Sequence, residues 1–221
     1  GQISDNGQYV VFGSDASNLV TDDTNGFRDV FLHDMQTAVT TRISVSISGV
    51  QANAGSCLDG GIPVISGDGR YIAFETRASN IASGSYYQIM IYDRATSSLE
   101  IGSKNETGTI GNAGAIQPTL SYDGRYVAFV TPASNFVSGD TNAAYDVFLR
   151  DRQSQTIVRA SVTEEGGQAF GSSYYASPII SADGRYVTFH SSARNMNYDD
   201  NDVMPDEFVF DRDTGRTRQV N

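Results

Sequence analysis

Three short stretches of the chain carry oxygen-bearing side chains at one spacing. They are Asp23, Asn25 and Asp29; Asp140, Asn142 and Asp146; and Asp200, Asp202 and Asp206, each at relative positions 1, 3 and 7. Hard cations such as Ca²⁺ take about 6–8 oxygen ligands, and alternate positions of a tight loop can converge on one ion. The sets lack the glycine and distal glutamate of an EF-hand loop, so a calcium site here is of another kind. The same residue types also make side-chain-to-backbone turns that lead into a strand. Both readings stand at this stage: Ca²⁺ as a cofactor, or turn chemistry alone. A fourth stretch offers a contrast, with Gln88 where the others have aspartate.

Other chemistry is sparse. No Gly-x-Ser-x-Gly elbow, His-Glu-x-x-His run or phosphate-cradling glycine loop occurs. Cys57 is the single cysteine, in a loop with no histidine nearby, so it forms no intrachain disulfide and reads poorly as a nucleophile. His33 and His190 read as ordinary variation between repeats. Nothing singles out a carboxylate pair for glycoside hydrolysis from 26 acidic residues. No catalytic residue is therefore named. Aromatics outside the expected core are a better guide to ligand contact: Tyr86, Tyr87, Phe170, Tyr174 and Tyr175, beside Asp, Asn and Gln, suit a protein partner or a sugar face. Packing of these rings on their own blade tops is the rival reading.

These residues are positioned by a fourfold repeat. Segments 2–12, 63–74 (PVISGDGRYIAF), 118–129 (PTLSYDGRYVAF) and 178–189 (PIISADGRYVTF) share one pattern. Their turn glycines, Gly7, Gly69, Gly124 and Gly184, are 62, 55 and 60 residues apart. Each is followed by an Ala-Ser-Asn-like step, then a strand ending in aspartate (Asp34, Asp93, Asp151, Asp211), then a closing strand. The Asx-Gly pairs are expected to supply the positive φ angles of tight hairpins. Tyr71, Ala73 and their counterparts alternate with Ile72, Phe74 and theirs, the period of two that marks a strand with two distinct faces. Arg70, Arg125 and Arg185 are expected to pair with Asp93, Asp151 and Asp211. Phe12, Phe74, Phe129 and Phe189 are expected in the core between blades.

The fold class is all-β: a β-propeller-type repeat of four blades with four antiparallel strands each, read as one domain over 1–221. The blades span approximately 1–46, 62–103, 117–162 and 177–221. Loops 48–61, 104–116 and 163–176 and the acidic middle loops emerge on one face, where a site is expected.

The run SGDGRYIAF from Ser66 and SYDGRYVAF from Ser121, with ASNFVSGDTN…DVFLRD from Ala133 to Asp151, resembles the TolB-like (PD40, WD40-like) propeller repeat. The resemblance covers essentially the whole chain. It implies a propeller fold but no single function, because such repeats serve binding, peptidase-associated and lyase propellers alike. The first unit departs with Asn6 and Gln8, the second with a short middle loop lacking the acidic run. Propellers of this kind usually carry six or more blades. Four blades here imply a closed four-bladed ring, part of a larger ring, or an arc completed by a second chain.

The net charge of −11 disfavours nucleic acid and anionic lipid as partners, and no apolar run suits membrane insertion. Composition suggests a bacterial periplasmic or secreted protein. The functional expectation is a noncatalytic binding or scaffold propeller presenting an acidic, tyrosine-bearing loop face to a protein or glycan, as a homodimer or larger multi-blade assembly. The alternative is a carbohydrate-active (lyase or hydrolase) or peptidase-associated propeller.

Overall fold

A computed structural model describes residues 1–57, 60–173, 178–196 and 204–220. Sixteen strands form four antiparallel sheets, each in simple sequential order. The first blade contains β1 (Gln2–Ile3), β2 (Tyr9–Ser14), β3 (Asp29–Asp34) and β4 (Val39–Arg42). The second contains β5 (Val64–Ile65), β6 (Tyr71–Thr76), β7 (Gln88–Asp93) and β8 (Ser98–Ile101). The third contains β9 (Ile116–Leu120), β10 (Tyr126–Thr131), β11 (Asp146–Asp151) and β12 (Ile157–Arg159). The fourth contains β13 (Ile179–Ile180), β14 (Tyr186–Ser191), β15 (Asp206–Asp211) and β16 (Arg216–Gln219). No helix occurs among the described residues.

The period-two pattern sorts each sheet into two faces. One carries Tyr9, Val11, Val30 and Leu32 in blade one; the other carries Val10, Phe12, Phe31 and His33, as the β2–β3 register requires. The first face of each blade packs on the second face of the next. Tyr9, Val11, Val30 and Leu32 thus meet Ile72, Phe74 and Met90. Ala73, Ile89 and Ile91 meet Val127, Phe129 and Phe148. Ala128, Val130, Val147 and Leu149 meet Val187, Phe189, Phe208 and Phe210. Three apolar clusters thus join four sheets in series. Phe74, Phe129 and Phe189 are fully or almost fully buried between blades as expected, whereas Phe12, on the outward face of blade one, is only half-buried.

The recurring turn does more than reverse the chain. In each hairpin only the glycine takes a positive φ, between 64° and 74°; the preceding Asn or Asp does not. The expectation of two positive angles is corrected here. The glycine N–H donates to the carbonyl of the serine three residues earlier at 2.8–2.9 Å, closing a wider turn with one left-handed residue. The aspartate instead holds the turn through its side chain. Asp68 accepts from the Ser66 hydroxyl at 2.5 Å and from the Arg70 N–H at 2.9 Å. Ser66 in turn accepts the Tyr71 N–H at 2.9 Å, and the other hairpins repeat this lock.

The glycine is also where neighbouring blades touch. A Cβ on Gly69 would lie 2.8 Å from the Tyr9 ring; on Gly124, 2.4 Å from Tyr71; and on Gly184, 2.1 Å from Tyr126. An arginine from the later blade covers each ring: Arg94 lies 3.9 Å from Tyr9, Arg152 4.2 Å from Tyr71 and Arg212 4.3 Å from Tyr126. These arginines also donate to the Gly69, Gly124 and Gly184 carbonyls, so each holds its own turn while capping the preceding blade.

At the opposite end, the Ala-Ser-Asn step clamps the previous blade's exit loop. Asn80 accepts the Asn53 N–H at 3.0 Å and donates to the Gln51 carbonyl at 2.8 Å. Asn135 repeats this with Asn112 and Ile110, and Asn195 with Phe170 and Gln168.

Gly124→Ala should therefore cost about 2–3 kcal/mol, since it adds a clash with Tyr71 to the strain of a positive φ. Gly7→Ala shares the φ but has open space around it, and should cost about 1 kcal/mol. Denaturant melts of the two variants measure the difference, which is the junction's share.

Candidate functional site

The loop end of the propeller holds both sets of residues that carry candidate chemistry. In blade one, Asn25 donates from Nδ2 to Asp29 at 2.9 Å and to the Ala52 carbonyl at 3.0 Å, and its oxygen accepts the Phe27 N–H. The Ser44 hydroxyl donates to Asp29 at 2.5 Å and accepts the Val30 N–H. The Arg42 guanidinium faces Asp22 at 3.1 Å, Asp23 at 3.3 Å and Asp29 at 3.8 Å. Blade three repeats the arrangement: Asn142 and Ser161 donate to Asp146, while Arg159 faces Asp140 at 3.5 Å and Asp146 at 3.9 Å.

Blade two shows what this arrangement is for. Gln88 replaces the aspartate and keeps the serine contact, accepting from Ser103 at 2.7 Å. The strand position of Arg42 and Arg159, opposite Phe31 and Phe148, is Ile101 opposite Met90. The negative and positive partners disappear together. In blades one and three the arginine supplies the positive charge that the spacing reading assigned to Ca²⁺. The donors as placed in blades one and three form a turn locked by an internal ion pair. Among the described residues no three His, Cys, Asp or Glu side chains converge to hold a metal ion. Asp200 and Asp202 lie outside the described residues; Asp206 begins β15.

Burial sets the electrostatics of these aspartates. It pushes the Asp146 carboxyl up to about 6, against hydrogen bonds from Ser161 and Asn142 and the charge of Arg159. Asp29 and Asp140 are raised by the same cause. The hairpin arginines act oppositely. Arg70, Arg125 and Arg185 reach Asp93, Asp151 and Asp211 at 2.8, 2.6 and 2.9 Å, each in a two-point pair, as the sequence suggested. The Asp93 and Asp211 carboxyls are held below the ordinary range chiefly by these guanidinium contacts.

The second set lines a cavity of about 630 Å³ where the inner strands of blades two, three and four begin. Tyr86 and Tyr87 are both in its wall, joined by Tyr145, Ile62, Ile116 and three prolines, Pro118, Pro132 and Pro178. Arg77 stacks on Tyr87 at 4.1 Å. Glu75 is buried against Gly61, its carboxylate where a Gly61 Cβ would have to be. Gln117 opens the wall from a left-handed φ of 54°, at an irregularity where β9 slips its register against β10. Such strained non-glycine residues cluster at ligand clamps and functional sites.

The structure separates the remaining candidates. Phe170 is 79% exposed and lies outside the cavity wall. Tyr174 and Tyr175 lie outside the described residues. Cys57 is buried, its thiol pushed up to about 12 by burial and by the charge of Glu75, which suits an inert side chain. Sequence reasoning missed Arg77, Glu75, Gln117 and Tyr145. A signal existed: Glu75 and Arg77 stand where the other units have Gly13, Val130 and His190, and Asp15, Pro132 and Ser192.

Two outcomes follow from this chemistry. Asp146 keeps its proton to higher pH when folded, so its contribution to stability is present at low pH and lost as pH rises from about 4 through about 6. Wild type should lose stability relative to Asp146→Asn across that window, read by denaturant melts at each pH. Millimolar Ca²⁺ and chelator should both leave the melting temperature of the protein unmoved, by calorimetry.

No protein-family profile matches the chain, and no curated protein does. Solved structures match in fold. TolB from Acinetobacter baumannii has a TM-score of 0.56 at 16% identity, over 99% of this chain and 42% of that one. A putative TolB from Agrobacterium tumefaciens gives 0.58 at 14%, over 98% and 62%. The β-propeller domain of the Trilobed protease from Pyrococcus furiosus, described as having an open velcro topology, gives 0.56 at 12%, over 97% and 54%. The chain thus spans about two fifths to three fifths of the length of these structures. Its fold is that of a TolB-like β-propeller.

Proposed function

We propose that this chain is a noncatalytic binding propeller that seats a segment of a partner protein in the loop-end cavity. One observation carries the reading: a preformed hollow walled by Tyr86, Tyr87, Tyr145, isoleucines and prolines, with charge among its described lining residues supplied by Arg77 and Glu75 alone. Largely apolar pockets with a few placed polar groups are the common form of binding sites. Proline and tyrosine walls suit an inserted apolar or aromatic side chain, with Arg77 at hand for a carboxylate. The acidic surface favours a partner bearing basic residues around the inserted segment. Action outside the cytoplasm is part of the proposal, supported by composition.

A second reading has its own observation. Solved peptidases, among them a puromycin hydrolase and an acylaminoacyl peptidase, contain regions matching this fold, over 27% and 31% of their chains. A propeller serving a catalytic domain is therefore the alternative.

Selection from a displayed peptide library, with a glycan array run in parallel, tests the proposal. Peptides should bind saturably, and Tyr87→Ala and Arg77→Ala should each weaken binding about tenfold or more while leaving the melting curve in place. Peptide binding indifferent to both substitutions, glycan binding in its stead, or cleavage of bound peptide would each overturn it.

A further inference from the structure

The junction between blades one and two departs from the repeat at two charged positions, and both line one hollow. A cavity of about 280 Å³ opens there on the outer rim, beside the β3–β4 turn. Tyr9, Leu32, Asp34, Val39 and Thr41 of blade one wall it, together with Arg94 of blade two. It shares no lining residue with the loop-end cavity.

The arginines equivalent to Arg94 each have a carboxylate. Arg152 grips Glu100 from Nε at 2.8 Å and Nη2 at 2.7 Å, and Arg212 reaches Asp213 at 3.1 Å. Arg94 stacks on Tyr9 and holds the Gly69 carbonyl through Nε, but no carboxylate among the described residues pairs with it. Thr41 stands opposite Leu32 as Glu100 stands opposite Ile91, and Ala95 takes the place of Asp213. The acidic side shows the converse. Asp93, Asp151 and Asp211 are each held by an arginine, whereas Asp34 faces Gln8, whose Nε2 reaches it only at 3.4 Å. The Gln36 N–H, donating at 2.8 Å, keeps the Asp34 carboxyl below its ordinary range and so charged at neutral pH.

A guanidinium and a carboxylate that the other blades neutralise thus share one hollow without pairing with each other. Ligand cavities run from about 300 Å³ upward, so a hollow of this size suits a small molecule. We propose that it is a second binding site, for a small zwitterion of the amino-acid or short-peptide class, its free carboxylate on Arg94 and its free ammonium on Asp34. The guanidinium offers a fork of donors that matches a carboxylate, and Asp34 accepts from an ammonium. Leu32 and Val39 give apolar wall for the hydrocarbon between the two charges.

Titration calorimetry on the full chain tests this with free amino acids, dipeptides and tripeptides, each also as its N-acetylated and C-amidated form. At least one unblocked series should bind saturably, and the length that binds best identifies the source of the zwitterion. Blocking either end should weaken binding about tenfold or more. Two variants restore what other blades have: Thr41→Glu supplies the Glu100-type partner to Arg94, and Gln8→Arg supplies the arginine to Asp34. Each should abolish binding while holding or slightly raising the melting temperature, because it adds a surface ion pair. Tyr87→Ala, in the other cavity, should bind as wild type does. Absence of saturable binding by every unblocked ligand overturns the proposal, as does binding indifferent to end-blocking or to both restoring variants. Loss of binding in Tyr87→Ala also overturns it, by placing the ligand at the loop end.

Discussion

Each sheet of this repeat has two apolar faces, and a four-stranded sheet cannot cover both by itself. Everything else in the structure follows from how the neighbours do it. The tyrosine at the start of each second strand lies on the turn glycine of the next blade, where any Cβ would collide with the ring. The next blade's arginine holds its own turn carbonyl and covers that ring. One small residue, one ring and one cation thereby set the distance between blades, and the phenylalanines and aliphatics above them fill the space so defined.

The loop end obeys a second constraint, that a buried carboxylate must be hydrogen-bonded or paired. Asp29 and Asp146 lie at the very start of a central strand with no exposure, and the serine, asparagine and arginine around them answer that burial. Blade two meets the same constraint by removing the charge, with Gln88 and Ile101 in place of aspartate and arginine. The residue set that looks most like chemistry in the sequence therefore maintains the fold. The cavity beside it arises where the repeat relaxes, around Glu75, Arg77 and the strained Gln117.

The first and last blades show the same logic in reverse. Exposed Ile3 and Tyr186 occupy places that are buried or half-buried in the other three blades. Apolar surface at these positions has a physical cost in water, and the fold meets it internally three times by stacking blade on blade.

The fold class, the four sheets, the alternation of faces, the phenylalanine core and the arginine–aspartate pairs are all legible along the chain. These features are periodic and local, and four copies make each one visible against the others. What the spaced aspartates face is another matter, because Arg42 and Arg159 follow Asp23 and Asp140 by a whole hairpin and reach them across the sheet. Folding alone brings them together. The same holds for Tyr86 and Tyr87, which share a hollow with Arg77, Glu75 and Tyr145 while Phe170 stands apart. Such a hollow is made by the angle between blades, and no pattern along one strand records that angle.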